Sequence, residues 1–338
     1  MKPLKFLLFF VWNMTFLCQA QSWTNPIIPQ RADPHVLLHK DGWYYLTATV
    51  PENDRIELRR AKSIGGLSTA KVEVLWRKHE TGAMGHHIWA PEIHFLDGKW
   101  YIYFAAGRAE AIWDIRMYVL ENDSANPFEG KWVEKGQMKM NWDSFTLDGN
   151  VFEHKGTRYF TWAQSVPEES GTSVFIAKMD TPWSISGNQV KITRPEFQWE
   201  RNGHNVNEAP ITLHRNGRIF LTYSASATDA NYCLGMLTAD ENADLLDPAS
   251  WKKSPEPVFK SSSVHSQFGP GHNSFTTSPD GKTDIFVYHS RGYEKINGEP
   301  LHNPDRATRA QVLRWKPDGT PDFGEPVPDG PVRGDKNP

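Results

Sequence analysis

The chain of 338 residues holds only two cysteines, Cys18 and Cys233. Cys18 lies in a segment that reads as a cleaved leader, so one thiol remains. A disulfide framework is thereby excluded, and stability must come from core burial, which a chain of this size can supply. Charge of one sign is also missing: 37 Lys and Arg stand against 40 Asp and Glu, a formal net charge of −3. A dedicated nucleic-acid binder would carry a basic excess. Charged residues at 23% and hydrophobic residues at 38% exclude both a disordered tail protein and a polytopic membrane protein. Long apolar runs are absent apart from Phe6–Leu17, which Asn13 and Thr15 interrupt and which is too short for a comfortable membrane span. No P-loop, dinucleotide fingerprint or zinc-ligand spacing occurs, and helical periodicity is scarce.

The N-terminus reads as an address. Lys2 and Lys5 precede the apolar stretch, and Cys18-Gln19-Ala20 is a small-x-small site. Residues 1–20 are therefore expected to be a signal peptide cleaved after Ala20, leaving 21–338 as one secreted or periplasmic domain. Lipid anchoring at Cys18 ranks second, because Leu17 is the wrong size before an acylated cysteine. Cys233 is expected to be a small buried hydrophobe.

Aromatic residues are abundant, at 12% with 14 Trp, and 25 Gly and 24 Pro imply many turns. Five segments share one design: a run of strand formers, a turn ending in glycine, then an aromatic-rich strand. Asp97-Gly98 leads into KWYIYFAA and Asn216-Gly217 into RIFLTYSA. Such turns between apolar runs are strong hairpin signals. The turn glycines Gly42, Gly98, Gly156, Gly217 and Gly281 stand 56, 58, 61 and 64 residues apart, room for two further strands per unit. The class is all-β, and five like units in series predict a five-bladed β-propeller. A β-sandwich or β-helix would not explain five similar hairpins at near-constant spacing. The tail from Glu325, rich in Pro, Gly and Asp, is expected to be loose.

Six residues after Asp33, Trp89, Asp148, Glu208 and His272 come His39, Phe95, His154, His214 and Ser278, at the end of the strand before each turn. The five residues are thus assigned one equivalent position, at the start of the innermost strand, ringing one mouth of the central channel. Three are carboxylates. Acids crowded in a channel repel and lose hydration, so a purely structural position would avoid them. The competing reading is that some cap turns, Asp148 before Gly149 above all. Two carboxyls across an acetal oxygen are the minimum for glycoside hydrolysis, one protonated and one ionised, and a third acid nearby raises the pKa of the first. Trp89 offers a wall for a sugar face. His272 suits a pocket hydrogen bond, contact with a cation, or plain packing. Of Trp113, Trp142 and Trp162, one or two are expected to stack on sugar and the rest to pack. His86-His87 reads as a rim feature more readily than a metal pair.

At these residues the chain resembles glycoside hydrolase family 43, five-bladed propeller enzymes acting on arabinan and xylan. The motifs are RADPHV at 31–36, IWAPEIHFLDGKWYIYFAA at 88–106, TLDGNVF at 146–152, NEAPITL at 207–213, GPGHNSF at 269–275 and DRATRAQVLRW at 305–315. The resemblance implies Asp33 as general base, Asp148 as the acid that tunes pKa and orients, and Glu208 as general acid. It places His272 beside a calcium or other cation, with no organic cofactor, and Arg291 of YHSRGY among the substrate-binding residues. The run ATVPENDRIELRRA at 48–61 is most similar to exo-acting α-L-arabinofuranosidases. An inverting, monomeric enzyme on arabinan or arabino-oligosaccharides is the expectation. A β-xylosidase or endo-arabinanase on the same scaffold is the alternative, and a non-catalytic carbohydrate-binding propeller is the rival from another class. Neither the extra C-terminal sandwich of the two-domain β-xylosidases nor an appended carbohydrate-binding module is expected.

Overall fold

The computed structural model describes residues 21–334; the leader segment, with Cys18 and the cleavage site after Ala20, lies outside the described residues. Five antiparallel sheets follow one another along the chain, each a meander in sequence order. Their first strands are Ala32–Leu38, His86–Leu96, Thr146–His154, Asn207–Arg215 and Phe268–Thr277. Each first strand contacts the next, and the fifth contacts the first, so the five surround a central axis. This is the expected five-bladed propeller. Among the described residues no α-helix occurs and no helix is long and apolar enough to cross a membrane.

The turns explain why the strands pair where they do. Asp97-Gly98, Lys155-Gly156 and Asn216-Gly217 each join two strands through two residues with positive φ, 51° and 80°, 49° and 76°, 55° and 70°. That is the type I′ turn, whose twist matches the strands, and only glycine takes its second position without strain. The core then forms between blades. Tyr45, Ile56, Leu58 and Ile102 pack one apolar cluster between blades one and two, and Tyr103, Met117, Phe160 and Phe175 pack another between two and three. Three further clusters fill the remaining interfaces. Both faces of each sheet are therefore buried, which accounts for strands apolar on both sides. Cys233 is buried and unpaired in the cluster between blades three and four, as expected.

The C-terminal tail corrects the expectation of looseness. Ser22–Asn25 pairs antiparallel with Gly330–Arg333, and Val327 and Val332 are buried. Ile27 and Ile28 continue the N-terminal segment onto the outer edge of blade five. The Ile27 amide donates to the Thr308 carbonyl at 2.8 Å, and the Thr308 amide donates to the Ile28 carbonyl at 2.9 Å. Blade five has three strands of its own, so this segment covers its open edge, and the ring closes by hydrogen bonds and not by covalent continuity. Pro and Gly in the tail marked an edge strand, where a missing N–H costs little.

Candidate active site

Every inner strand carries the same irregularity. Ala32 pairs with Thr49 and His35 with Thr47, so three steps on the inner strand oppose two on its neighbour. The same extra residue occurs at Trp89–Glu92, Leu147–Asn150, Glu208–Ile211 and Gly271–Ser274. The bulged residues are Asp33, Ala90, Asp148, Ala209 and His272, with φ of 55°, 46°, 56°, 50° and 43°. Asp and His visit this left-handed region more readily than most residues; two alanines there store strain. Proline follows three of the five, because the extra residue has no ladder partner and needs no N–H. Gly149 follows Asp148 because a Cβ would strike the Phe160 ring.

The bulge corrects the fivefold alignment. The equivalent residues are Asp33, Ala90, Asp148, Ala209 and His272, and Trp89 and Glu208 each stand one residue earlier. Counting from the last strand residue mixed strand ends of unequal length; counted back from the turn glycine, blades two to four give Ala90, Asp148 and Ala209, each eight residues earlier. Convergence survives the shift, because a bulge aims consecutive side chains to one side. Asp33, Trp89, Asp148, Glu208 and His272 all line one cavity of about 470 Å³ at the channel mouth.

At its base the carboxyls have different surroundings. Asp33 Oδ2 accepts from Thr49 Oγ1 at 2.6 Å, and its Oδ1 lies 3.3 Å from Arg306 Nη1 and 3.3 Å from His272 Nδ1. Its amide donates to His289 Nδ1 at 3.0 Å. Burial alone would raise the Asp33 carboxyl; His272, Arg306 and His289 override it and hold the group well below the usual range. Among the described residues Arg306 is the only lysine or arginine lining the cavity. Glu208 is pushed up to about 7, first by burial and then by the charge of Asp33, against a hydrogen bond from Tyr232. Tyr232 Oη donates to Glu208 Oε1 at 2.7 Å, leaving Oε2 to carry a proton. Asp148 is raised well above its ordinary value by burial and by the charges of Glu208 and Asp33, although its Oδ2 accepts from the Ala209 amide at 3.0 Å. His272 Nδ1 stands 4.0 Å from Asp148 Oδ2, between two of the acids, and burial lowers its pKa. One carboxyl is thus held ionised while two are held toward the acid form.

Walls rise above this base. Trp113 is 52% exposed and its ring lies 6.1 Å from Trp89, while His87 stacks on Trp89 at 4.3 Å. Glu299, Leu301 and His302, on and beside the turn Pro300–His302, line the cavity as well. Trp142 and Trp162 pack instead: Trp162 is fully buried, and the Trp142 indole donates to the Ser165 carbonyl at 3.1 Å.

Arg291 does not line the cavity, contrary to its assignment to substrate binding. It is 1% exposed, and its guanidinium donates to Asn303 Oδ1 at 2.9 Å, the Thr228 carbonyl at 2.6 Å and the Pro300 carbonyl at 3.0 Å. These bonds fix the segment that carries Leu301 and His302. The arginine facing the carboxyls is Arg306, which stands in the DRATRAQVLRW run without having been given a role. Tyr232 and His289, stacked at 5.6 Å and 8°, also went unsingled. A Cβ at Gly271 would strike the Tyr232 ring, a contact between distant segments that no sequence pattern announces.

For the cation assigned to His272, the donor count is informative. Among the described residues the one group of three His, Cys, Asp or Glu donors within 4.8 Å of one another is His35, Glu92 and His94, which does not include His272. An ion at His272 would have fewer than three protein ligands of these types and would depend on water.

Comparison with known proteins agrees with this architecture. The chain is 58% identical over 315 residues to the extracellular exo-α-(1→5)-L-arabinofuranosidase of Streptomyces avermitilis, covering 92% of this chain and 66% of that protein. It is 55% identical to α-L-arabinofuranosidase 43 of Humicola insolens, covering 93% and 65%. The chain thus spans just under two thirds of the length of these curated relatives. The crystal structure of an α-L-arabinofuranosidase from Lactobacillus brevis superposes with a TM-score of 0.88 at 50% identity, over 91% of this chain and 98% of that one. The sequence model of glycosyl hydrolases family 43 matches residues 23–321, and with fold, motifs and relatives in accord the chain belongs to that family.

Proposed function

We propose that this chain is a secreted, inverting exo-α-1,5-L-arabinofuranosidase that releases arabinose from arabinan or arabino-oligosaccharides. The observation that carries the reading is the division of labour among three buried carboxyls at the base of one cavity. Asp33, held ionised beside Arg306 at 3.3 Å, acts as general base toward a water. Glu208, raised to about 7, donates its proton to the departing glycosidic oxygen from Oε2, since Oε1 is occupied by Tyr232. Asp148, itself held toward the acid form by burial and by Glu208 and Asp33, orients the acid, while burial and the charge of Asp33 keep Glu208 raised. Inversion requires room for a water between base and sugar, with carboxyls on the order of 6.5–9.5 Å apart.

Exo action is supported by the shape. The base carries Asp33, Asp148 and Glu208, and two residues past the bulges stand His35, Glu92, Asn150, Ile211 and Ser274, all buried and none of them lining the cavity. A cavity based on three carboxyls and walled by Trp89, Trp113 and the 300–302 turn suits a chain end. The names of the relatives favour arabinose over xylose.

The test is product analysis on linear α-1,5-arabinan, aryl arabinofuranoside and aryl xyloside. Arabinose as sole product, with the β-anomer first in early proton NMR spectra, is the expected result. Mixed oligosaccharides would reject exo action, an initial α-anomer would reject inversion, and faster xyloside cleavage would reject the substrate.

A further inference from the structure

Further along the inner strands, past the bulged residues, lies a second cluster that the catalytic reading does not use. His35 comes from the inner strand of blade one, Glu92 and His94 from that of blade two. Glu92 and His94 are two residues apart and so share a strand face. His94 Nε2 lies 3.0 Å from Glu92 Oε2, and His35 Nε2 lies 3.8 Å from the same oxygen. The three residues are 6–8% exposed. The Asn150 amide donates to Glu92 Oε2 at 2.8 Å from blade three.

A separate observation is the concentration of unpartnered polar atoms around this layer. His35 Nδ1 and Asn150 Oδ1 are buried without a hydrogen-bond partner, as are the hydroxyls of Thr47 and Thr161, which pair across from His35 and Asn150. Buried polar groups are overwhelmingly satisfied, and a group of exceptions in one place calls for a ligand.

We propose that His35, Glu92 and His94 bind a transition-metal ion of the zinc class, pinning blades one and two together past the bulged residues. Two imidazole nitrogens and one carboxylate oxygen are a donor set for zinc and its neighbours; calcium takes six to eight oxygens. Zinc–ligand bonds of about 2.0–2.1 Å put tetrahedral donors about 3.3 Å apart, between the 3.0 and 3.8 Å separations present. The site differs from the one the family resemblance places at His272 in ligands and in metal class.

The test is equilibrium dialysis of the chelator-treated full chain against zinc(II) and, separately, calcium(II), with metal content measured afterwards. One zinc per chain is expected, with a raised melting temperature. His35→Gln and His94→Gln should each weaken zinc binding by more than the roughly 10–100-fold that loss of an outer partner costs, while His272→Gln keeps it. Circular dichroism verifies that each variant folds. Should a variant misfold, cobalt(II) added to the unaltered chain decides: visible ligand-field bands of a tetrahedral N/O site support the assignment, and their absence refutes it. Zinc content near zero, binding of calcium alone, zinc retained by His94→Gln, or zinc lost in His272→Gln would each overturn the proposal.

Discussion

Replacing Arg306 by methionine removes the one lysine or arginine that lines the cavity among the described residues, while keeping similar bulk. Arg306 Nη1 lies 3.3 Å from Asp33 Oδ1, and the two side chains are 11% and 8% exposed. At an effective dielectric constant of about 20, unit charges at that distance attract by about 5 kcal/mol. The guanidinium charge is spread over three nitrogens and water would enter the variant, so about 3–4 kcal/mol is the relevant loss. At about 1.4 kcal/mol per pH unit, the Asp33 pKa should rise by roughly two to three units. Thr49 and His272 remain as partners and keep it from rising further. Arg306 also lowers Glu208, more weakly, so that group should rise too. The pH profile of kcat/KM on an aryl α-L-arabinofuranoside should therefore move upward and narrow, the acid limb shifting more than the alkaline limb. Stability should respond with a definite sign. In the parent, the depressed Asp33 pKa contributes stability above the unfolded-state value of about 3.9, lost as pH falls through the folded pKa. In the variant that acid-side loss should vanish, and neutral-pH stability should drop by about 3–5 kcal/mol, the cost of orphaning a buried charge. An acid limb that stays in place while kcat/KM falls uniformly would refute the reasoning and make Arg306 a substrate ligand.

Glu208→Ala should lose activity on arabinan by roughly 10²–10⁴ or more, yet retain far more on an aryl arabinofuranoside with an acidic phenol, which leaves without a proton; Asp33→Ala should fail on both, and the reverse pattern would exchange the two roles. Asp148 is held toward its acid form, so Asp148→Asn removes no charge that raises Glu208 and should leave the alkaline limb near pH 7 in place; a clear downward shift would show that Asp148 is ionised there. Trp113→Ala, at a half-exposed residue, should leave thermal stability within about 0.5 kcal/mol while raising KM for arabino-oligosaccharides roughly three- to tenfold, and an unchanged KM would remove Trp113 from substrate contact. Arg291→Met should raise KM by loosening the 300–302 turn and cost about 1–3 kcal/mol for unsatisfied carbonyls, and Arg291→Lys should not restore it, because one ammonium cannot reach three diverging acceptors.

Some errors of the sequence reading share one cause. Glu208 and Trp89 were aligned one residue out of register, yet both were rightly expected at the channel mouth. Periodicity locates a strand, but a bulge adds a residue without any change in the apolar pattern, and only its ladder reveals it. Arg291 was assigned to substrate binding by resemblance, and Arg306, also within a motif of the last blade, was given no role. Which guanidinium is consumed by carbonyls and which faces a carboxylate depends on the loop between them.

By itself the sequence determined the local geometry and the repeat. Asp97-Gly98 and Asn216-Gly217 impose two-residue turns through backbone φ alone, and five units too small to bury their own faces must stack. The residue types at the strand starts also declared the chemistry, because three acids in five equivalent segments have no packing use. Tertiary structure decided what those acids do. An aspartate and a glutamate have nearly the same pKa in water; Asp33 is held well below its ordinary value because Arg306, 273 residues along the chain, and two histidines reach it, while burial and the charge of Asp33 push Glu208 up to about 7. Ring closure was likewise outside local reading, since Ser22–Asn25 meets Gly330–Arg333 only once all five blades have brought the two ends of the chain together. Turns act over a few residues and can be read in order, whereas electrostatics and edge pairing act through space between segments that the chain keeps far apart.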